Sequence, residues 1–276
     1  MKILVTGANG YLGHGVVKTL CDMGVHVVAT DFGTEHIDER AEAVAVNLFD
    51  LEDPYGYFGE PDVVLHMAWR NGFVHNAPSH IQDLPSHFTF LSKMAASGVK
   101  QMAVMGSMHE IGFWEGCIRE DTPCNPMNYY GISKDALRKS CKLLCSEHKT
   151  LFQWLRGYYI VGNNEQGSSI FSKIVQAANQ GKETFPFTTG QNQYDFVDYE
   201  DFCRQVAAVV TQDRIDGIIN ICSGRPEKLA DRVERFIKEN GLNIRLEYGV
   251  FPDRAYDSNA VWGSDEKIAA IMTKTE

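Results

Sequence analysis

Long apolar runs are missing from this chain: no stretch approaches the roughly 20 residues that a membrane-spanning helix needs. The opening MKILVTGANGYLG has a short apolar segment, but a glycine-rich turn cuts it off at once. It reads as a strand and not as a signal peptide. Paired CxxC spacing is missing too. The seven cysteines, at 21, 117, 124, 141, 145, 203 and 222, are scattered. Cys141 and Cys145 share a helix face, but two thiols do not make a metal site, so no metal is expected. Free thiols point to a reducing compartment, with the cytoplasm as the expected location. An excess of basic residues is also missing. The net charge of −10 excludes a general nucleic-acid or anionic-membrane surface and leaves room for a local phosphate pocket. There is no internal repeat and no low-complexity linker. What is present is an ordinary globular composition, 44% apolar and 22% charged, over 276 residues. That suits one large domain or two closely packed ones.

The first half alternates strand and helix patterns. Strands are expected at Lys2–Thr6, Val25–Thr30, Ala43–Val46, Asp62–Met67, Val99–Met105 and Leu151–Gly157. Helices are expected at Tyr11–Met23, His80–Ser97 and Asn128–His148. Continuous apolar strands such as DVVLHMA suit burial on both faces, and the alternation predicts a parallel sheet covered by helices. The fold class is therefore α/β, a Rossmann-type doubly wound parallel sheet. After Gly162 the rhythm loosens into loops, short strands and four further helical patterns. We expect residues 1–160 to form a dinucleotide-binding domain, with 194–223 returning to it. Residues 161–276 are expected to form mainly a smaller C-terminal substrate-binding cap.

TGANGYLG places Gly7, Gly10 and Gly13 between the first strand and the first helix. Glycines allow a tight turn and close backbone approach, and the helix N-terminus offers free N–H groups to a pyrophosphate. The spacing is GxxGxxG, and the context it needs is present: strand before, helix after, and Asp31 ending the second strand. A carboxylate there accepts hydrogen bonds from ribose hydroxyls and repels a 2′-phosphate. No arginine directly follows it, so NAD is expected over NADP. Asn47 and Leu48 end the third strand, where an adenine contact could lie; Asn47 could equally be a turn former.

NYYGISK opens a helix. Tyr130 and Lys134 are four apart and share one face. A nearby ammonium favours the phenolate, so the Tyr130 pKa is expected to fall, making it a proton donor or acceptor for an alcohol oxygen. The same lysine can hold ribose hydroxyls, and Ser107, at the end of the fifth strand, could bond the reacting oxygen. Tyr129 is a competing register, but Ser133 stands four residues after it.

Together these segments resemble the extended short-chain dehydrogenase/reductase family, the group of nucleotide-sugar epimerases, dehydratases and reductases. TGANGYLG is similar to its cofactor turn, DVVLHMAW to its fourth strand, GSMHEIG to its serine strand-end and YGISK to its YxxxK motif. LRGYYIVG, YDFVDYEDF and NICSG resemble later family segments. The resemblance implies Ser107, Tyr130 and Lys134 as catalytic residues and Gly7, Gly10, Gly13 and Asp31 as cofactor contacts. Asn9, Tyr11, Leu12, Met67 and Ala68 complete the expected cofactor set. It also implies a homodimer through the helices His80–Ser97 and Asn128–His148.

Departures from the family narrow the reaction. Members that dehydrate a hexose place Asp-Glu after the catalytic Ser or Thr, where this chain has Met108-His109. Members that epimerise C3 and C5 place a cysteine at the position of His109 and a second base in the loop after YG, where GNNEQGSSIF offers serine or asparagine and no histidine or lysine. What survives is one hydride and one proton: interconversion of a keto and an alcohol group on a sugar. The pattern is closest to reductases of nucleotide-linked 4-keto-6-deoxyhexoses. His109 is either a proton-transfer group or a histidine lining the pocket. Substrate contacts are expected from Trp69, Arg70, Met108, His109 and Asn163, with His75 as a further candidate. Arg254 is either a diphosphate ligand or a surface arginine paired with Asp253 or Asp257. Tyr194 stands where the family has an arginine, which keeps a smaller sugar substrate open. His66 is expected to be a core residue. Two alternatives stand beside the oxidoreductase: a C4 epimerase that retains NAD, and a non-catalytic NAD sensor, against which an intact Ser-Tyr-Lys set argues.

Overall fold

The computed structural model describes residues 1–162, 169–252 and 257–273. The chain runs β1 (Lys2–Thr6), α1 (Tyr11–Asp22), β2 (His26–Asp31), β3 (Glu42–Ala45), α2 (Pro54–Tyr57), β4 (Val63–His66), α3 (Ser79–Ala96) and β5 (Gln101–Ser107). It continues through β6 (Gly116–Ile118), α4 (Tyr129–His148), β7 (Leu151–Gly157), β8 (Tyr159–Val161), α5 (Ile170–Asn179), β9 (Thr184–Pro186) and β10 (Gln193–Asp198). It ends with α6 (Tyr199–Val210), β11 (Gly217–Ile221), β12 (Pro226–Lys228), α7 (Leu229–Glu239), β13 (Arg245–Glu247), β14 (Ala260–Gly263) and α8 (Glu266–Met272).

Seven strands form one sheet in the order β11-β7-β5-β4-β1-β2-β3, and every pairing is parallel. The expected doubly wound α/β sheet is therefore present. Its side chains sort by the two-residue period of a strand. Ile3, Val5, Val27, Ala29 and Leu65 face one layer, where Val16, Val17 and Leu20 of α1 meet Phe202 and Val206 of α6 and Ile268 of α8. Leu4, Val28, Val64, Met102 and Val104 face the other, against Phe90, Leu91 and Met94 of α3 and Leu137, Cys141 and Leu144 of α4. Neighbouring strands depart from β1 in opposite directions, β2 on one side and β4 on the other. That is the switch point where open α/β sheets bind ligands, beyond the carboxyl ends of the strands.

A second sheet, β12-β10-β14-β6 with β8 paired to β10, lies alongside, and β9 pairs with β13. A separate apolar cluster of Phe171, Ile174, Phe196, Val233 and Phe236 fills the space between β10, α5 and α7. The two halves of the chain interleave: β6 from the first half joins the second sheet, while α6, β11 and α8 complete the layers of the first. Buried Asp195 fastens this junction. It accepts the Ser223 N–H and hydroxyl (both 2.7 Å) and the Gly224 (3.0 Å) and Gly263 (3.1 Å) N–H groups. The small strands β6, β8, β9, β12 and β14 are absent from the sequence reading because three or four residues are too short to show a period. All seven cysteines are free thiols.

Candidate active site

The glycine turn follows β1. Gly7 has φ +69°, and a Cβ there would lie 2.6 Å from the Ala68 backbone nitrogen; one on Gly13 would lie 2.0 Å from the Gly7 carbonyl oxygen. Both positions therefore need glycine. The first turn of α1 has no side-chain cap on Gly10 and no acidic residue, so its N–H groups and partial positive charge are available to an anion. Asn9 ties this turn to the end of β2. Its N–H donates to Asp31 (3.1 Å), its side-chain amide donates to Glu35 (2.9 Å), and its Oδ1 accepts the His36 N–H (2.7 Å). Two carboxylates thus flank the place where an adenosine ribose would sit. Tyr11 stacks on Tyr199 with ring centroids 4.6 Å apart, and the Tyr199 hydroxyl donates to the Tyr11 carbonyl. A Cβ on Gly162 would meet the Tyr11 hydroxyl at 1.9 Å, so that ring closes against the β8 exit. This fits a dinucleotide in its donors, its close backbone approach and its charge.

Ser107 ends β5, and Asn128 caps α4 by accepting the Gly131 N–H at 2.8 Å. Gly131 lets the two approach closely, since a Cβ there would meet the His109 carbonyl oxygen at 2.3 Å. Tyr130 is brought beside Ser107, close enough for the serine side chain to act on the phenol. Lys134, one turn further along α4, is buried; its Nζ donates to the Met105 carbonyl (2.7 Å) and lies 3.8 Å from the Trp69 ring centroid. The Tyr130 ring centroid is 5.8 Å away. Here the structure corrects an expectation. Burial pushes the Tyr130 phenol up to about 12, with the Glu110 charge adding to it and the Ser107 hydrogen bond opposing it. Burial likewise pushes Lys134 down to about 7, against the pull of Glu110. The ammonium does not lower the phenol because it rests on a carbonyl and an indole instead.

Five of the nine histidines surround this pair. The His75 ring lies 4.2 Å from His109 and stacks on Tyr130 at 5.6 Å, and the His75 carbonyl accepts the Tyr130 N–H at 2.9 Å. His80 accepts the Trp69 indole N–H at Nδ1 (3.0 Å), so its Nε2 donates to the Val74 carbonyl (3.0 Å). His66 bonds Thr6 through Nδ1 and His87 through Nε2, both at 2.8 Å. Burial holds His66 well below the usual imidazole range and pushes His87 down to about 3 and His109 to about 4. These are neutral rings at physiological pH.

Beneath Ser107 lies a buried charge network. Glu110 accepts the Ser107 N–H (3.3 Å), the Trp154 indole N–H (2.8 Å) and Arg156 Nε (3.3 Å), and pairs with Arg138 Nε at 3.0 Å. Ser107 and Glu110 form a capping box around the turn that carries Met108 and His109. Glu110, Cys124 and Asp135 bring their ligand atoms within 4.8 Å of one another. Arg138 also reaches Asp135 (2.6 Å) and Cys124 (3.3 Å), so a guanidinium already supplies the positive charge there.

Of the residues singled out from sequence, the glycine turn, Asn9, Asp31, Met67, Ala68, Ser107, Tyr130, Lys134, Trp69 and His109 gather around the switch point. Others stand differently. Met108 is buried in the core, because the turn after Ser107 folds it inward. Leu48 packs in the layer under α3, and Asn47 caps its own turn by accepting the Phe49 N–H. Arg70 is exposed and paired with Asp83 at 2.5 Å. Leu12, in the first turn of α1, packs against the core. His66 is a buried, hydrogen-bonded residue, as expected. Asn163 and Arg254 fall outside the described residues. Sequence reasoning gave no site role to Glu110, His80, His87 and Tyr199. Only Glu110 carried a local signal, the S-x-x-E spacing of Ser107 to Glu110. Two clefts of about 400 and 500 Å³ lie away from Tyr130, one beside Asn220 and Lys267, the other beside Gln191, Glu234 and Tyr248.

The family model for the NAD dependent epimerase/dehydratase family matches residues 3–222. The chain belongs to that family. It is 42% identical over 270 residues to a dTDP-6-deoxy-L-talose 4-dehydrogenase (NAD(+)) of Aggregatibacter actinomycetemcomitans, covering 96% of this chain and all of that one. The fold is similar to UDP-glucose 4-epimerase of Thermotoga maritima with UDP-glucose (TM-score 0.80, 19% identity, all of both chains). It is also similar to UDP-glucuronic acid 4-epimerase of Bacillus cereus in complex with UDP-glucuronic acid and NAD (TM-score 0.81, 19% identity, 99% and 93% of the chains).

Proposed function

We propose that this family member is an NAD-dependent oxidoreductase that interconverts the C4 hydroxyl and ketone of a nucleotide-linked 6-deoxyhexose. The observation that carries this is the near full-length 42% identity with the talose 4-dehydrogenase. The joined Ser107–Tyr130–Lys134 set supports it, as does the lack of an acidic pair after Ser107. The chemistry that bound NAD would supply is hydride exchange with the sugar carbon. Tyr130 carries the proton of the C4 oxygen and Ser107 holds that oxygen. With its phenol pushed up to about 12, Tyr130 is protonated and ready to donate. To accept a proton it needs Lys134 drawn away from the Met105 carbonyl and toward it. His109 borders the site where the sugar would lie. Asp31 and Glu35 favour NAD over a cofactor with a 2′-phosphate.

Two finer readings go with this. Ile81 and Phe88 of α3 and Tyr129, Ile132 and Leu143 of α4 are exposed on neighbouring helices, which supports a homodimer through that face. No helix among the described residues is long and apolar enough to cross a membrane. With seven free thiols, we place the protein in the cytoplasm.

The test is NADH formation from NAD and dTDP-6-deoxy-L-talose. We expect stoichiometric NADH and a 4-keto product with the dTDP sugar, and far slower turnover with NADP. Inversion at C4 without net NADH would replace this reading with the epimerase. Tight NAD binding without turnover of any sugar nucleotide would replace it with the sensor.

A further inference from the structure

We propose that Trp69 is a positioning residue for Lys134, an aromatic platform that keeps the lysine charged and in place when no cofactor holds it. The inference rests on Lys134 belonging to the cofactor-binding pair, as read above. It departs from the sequence-based assignment of Trp69 to substrate contact.

The geometry has three parts. First, Lys134 Nζ sits 3.8 Å from the Trp69 ring centroid, well inside the distance at which a ring face attracts a cation. Among the described residues its one hydrogen-bond acceptor is the Met105 carbonyl, at 2.7 Å. An ammonium has three donors, so a buried one held by one carbonyl depends on what else faces it. Second, the indole is fixed. It stacks on His87 at 4.4 Å and 16°, and its N–H donates to His80, whose other nitrogen is anchored on the Val74 carbonyl. Third, the support continues to the cofactor turn. His87 bonds His66, and His66 bonds Thr6, the residue before Gly7, which also accepts the Ala68 N–H at 3.3 Å. Lys134 is thus linked to the first glycine of the phosphate turn through Trp69, His87, His66 and Thr6.

The charged and titratable groups facing Lys134 come from every packed element. Tyr130 and Cys141 lie on α4 itself, Glu110 on the turn after β5, His66 on β4 and His87 on α3. Both histidines are neutral rings, and the Cys141 thiol is pushed above its ordinary range by burial. The Glu110 charge is shared with Arg138 and Arg156. Beside the Met105 carbonyl, the indole face at 3.8 Å favours the ammonium form and is not neutralised by another partner. A ring face that favours the cation raises the lysine pKa. Weakening it lowers that pKa, and the charged form is then lost at a lower pH.

The experiment is the pH dependence of kcat/KM for NAD, which reports groups of the free enzyme. We expect Trp69→Leu to move the alkaline limb to lower pH by about one unit, the size of shift a desolvated cation–π contact implies. Trp69→Phe, which keeps a ring face and loses the N–H to His80, should restore the limb most of the way. If Trp69→Leu does not fold, 5-fluoro- and then 5,7-difluorotryptophan at position 69 weaken the ring face without changing its shape. The limb should then move stepwise with fluorine content. An unmoved limb in Trp69→Leu or across the fluorinated series, even with lower activity, overturns the proposal and leaves Trp69 as packing. Lys134→Ala separates the two readings. If it retains wild-type kcat/KM for NAD and the same alkaline limb, the role of Lys134 itself fails; if it loses them while Trp69 variants do not move the limb, only the platform fails.

Discussion

Tyr130 is placed by its backbone on the His75 carbonyl and by its ring on His75, with its hydroxyl beside Ser107. Replacing the hydroxyl alone should spare the first two. Tyr130→Phe is therefore expected to lower kcat by about 10²–10⁴-fold, the usual contribution of a positioned acid or base, with NAD affinity nearly unchanged. Steady-state kinetics beside an NAD titration by calorimetry would check both halves. The sequence showed Tyr130 and Lys134 as a pair because four-residue spacing on a helix is a local property. It did not show which way Lys134 points, since the Met105 carbonyl and the Trp69 ring come from elsewhere in the chain.

At the scale of elements, the site is set by how β1 enters α1 and how β5 meets α4. Gly13→Ala forces a methyl against the Gly7 carbonyl, where a Cβ would lie 2.0 Å away. We expect a stability loss of about 1–3 kcal/mol, as for overpacking, and weakened NAD binding because the turn must open. Denaturant unfolding with and without NAD would measure both. Asn128→Ala removes the α4 cap and should cost about 1 kcal/mol, with a fall in kcat because Tyr130 stands two residues on. The long elements were legible because their periods extend over many residues. The three-residue strands of the second sheet were not. They exist because β10 and β14 lie beside them to accept pairing, a condition that their own residues do not encode.

Across the whole molecule, two properties follow from what is buried and what is left exposed. His66, His87 and His109 are held below the ordinary imidazole value of 6.5, the latter two at about 3 and about 4. Unfolded imidazoles bind protons below about pH 6.5 and the native ones do not, so stability should fall as pH drops from 6.5 towards 4. A falling thermal midpoint across that range would show it, with a shallower slope in His109→Gln. The exposed face of α3 and α4 leads to the second expectation: by sedimentation equilibrium the parent chain should run as the proposed dimer and Ile132→Glu with Leu143→Glu as a monomer.

The sequence by itself determined the α/β class, the glycine turn with its acidic partner, and the spacing of Tyr130 and Lys134. Each is written in neighbouring residues through a period, a turn or a helical step. Only the tertiary structure decided that Arg138 and Arg156 pair with Glu110, that histidines ring Tyr130, and that Lys134 rests on Trp69. Those depend on meetings between residues far apart in the chain, as Trp154 and Glu110 are, 44 positions from one another. Burial at those meetings, more than residue type, fixes which groups carry charge.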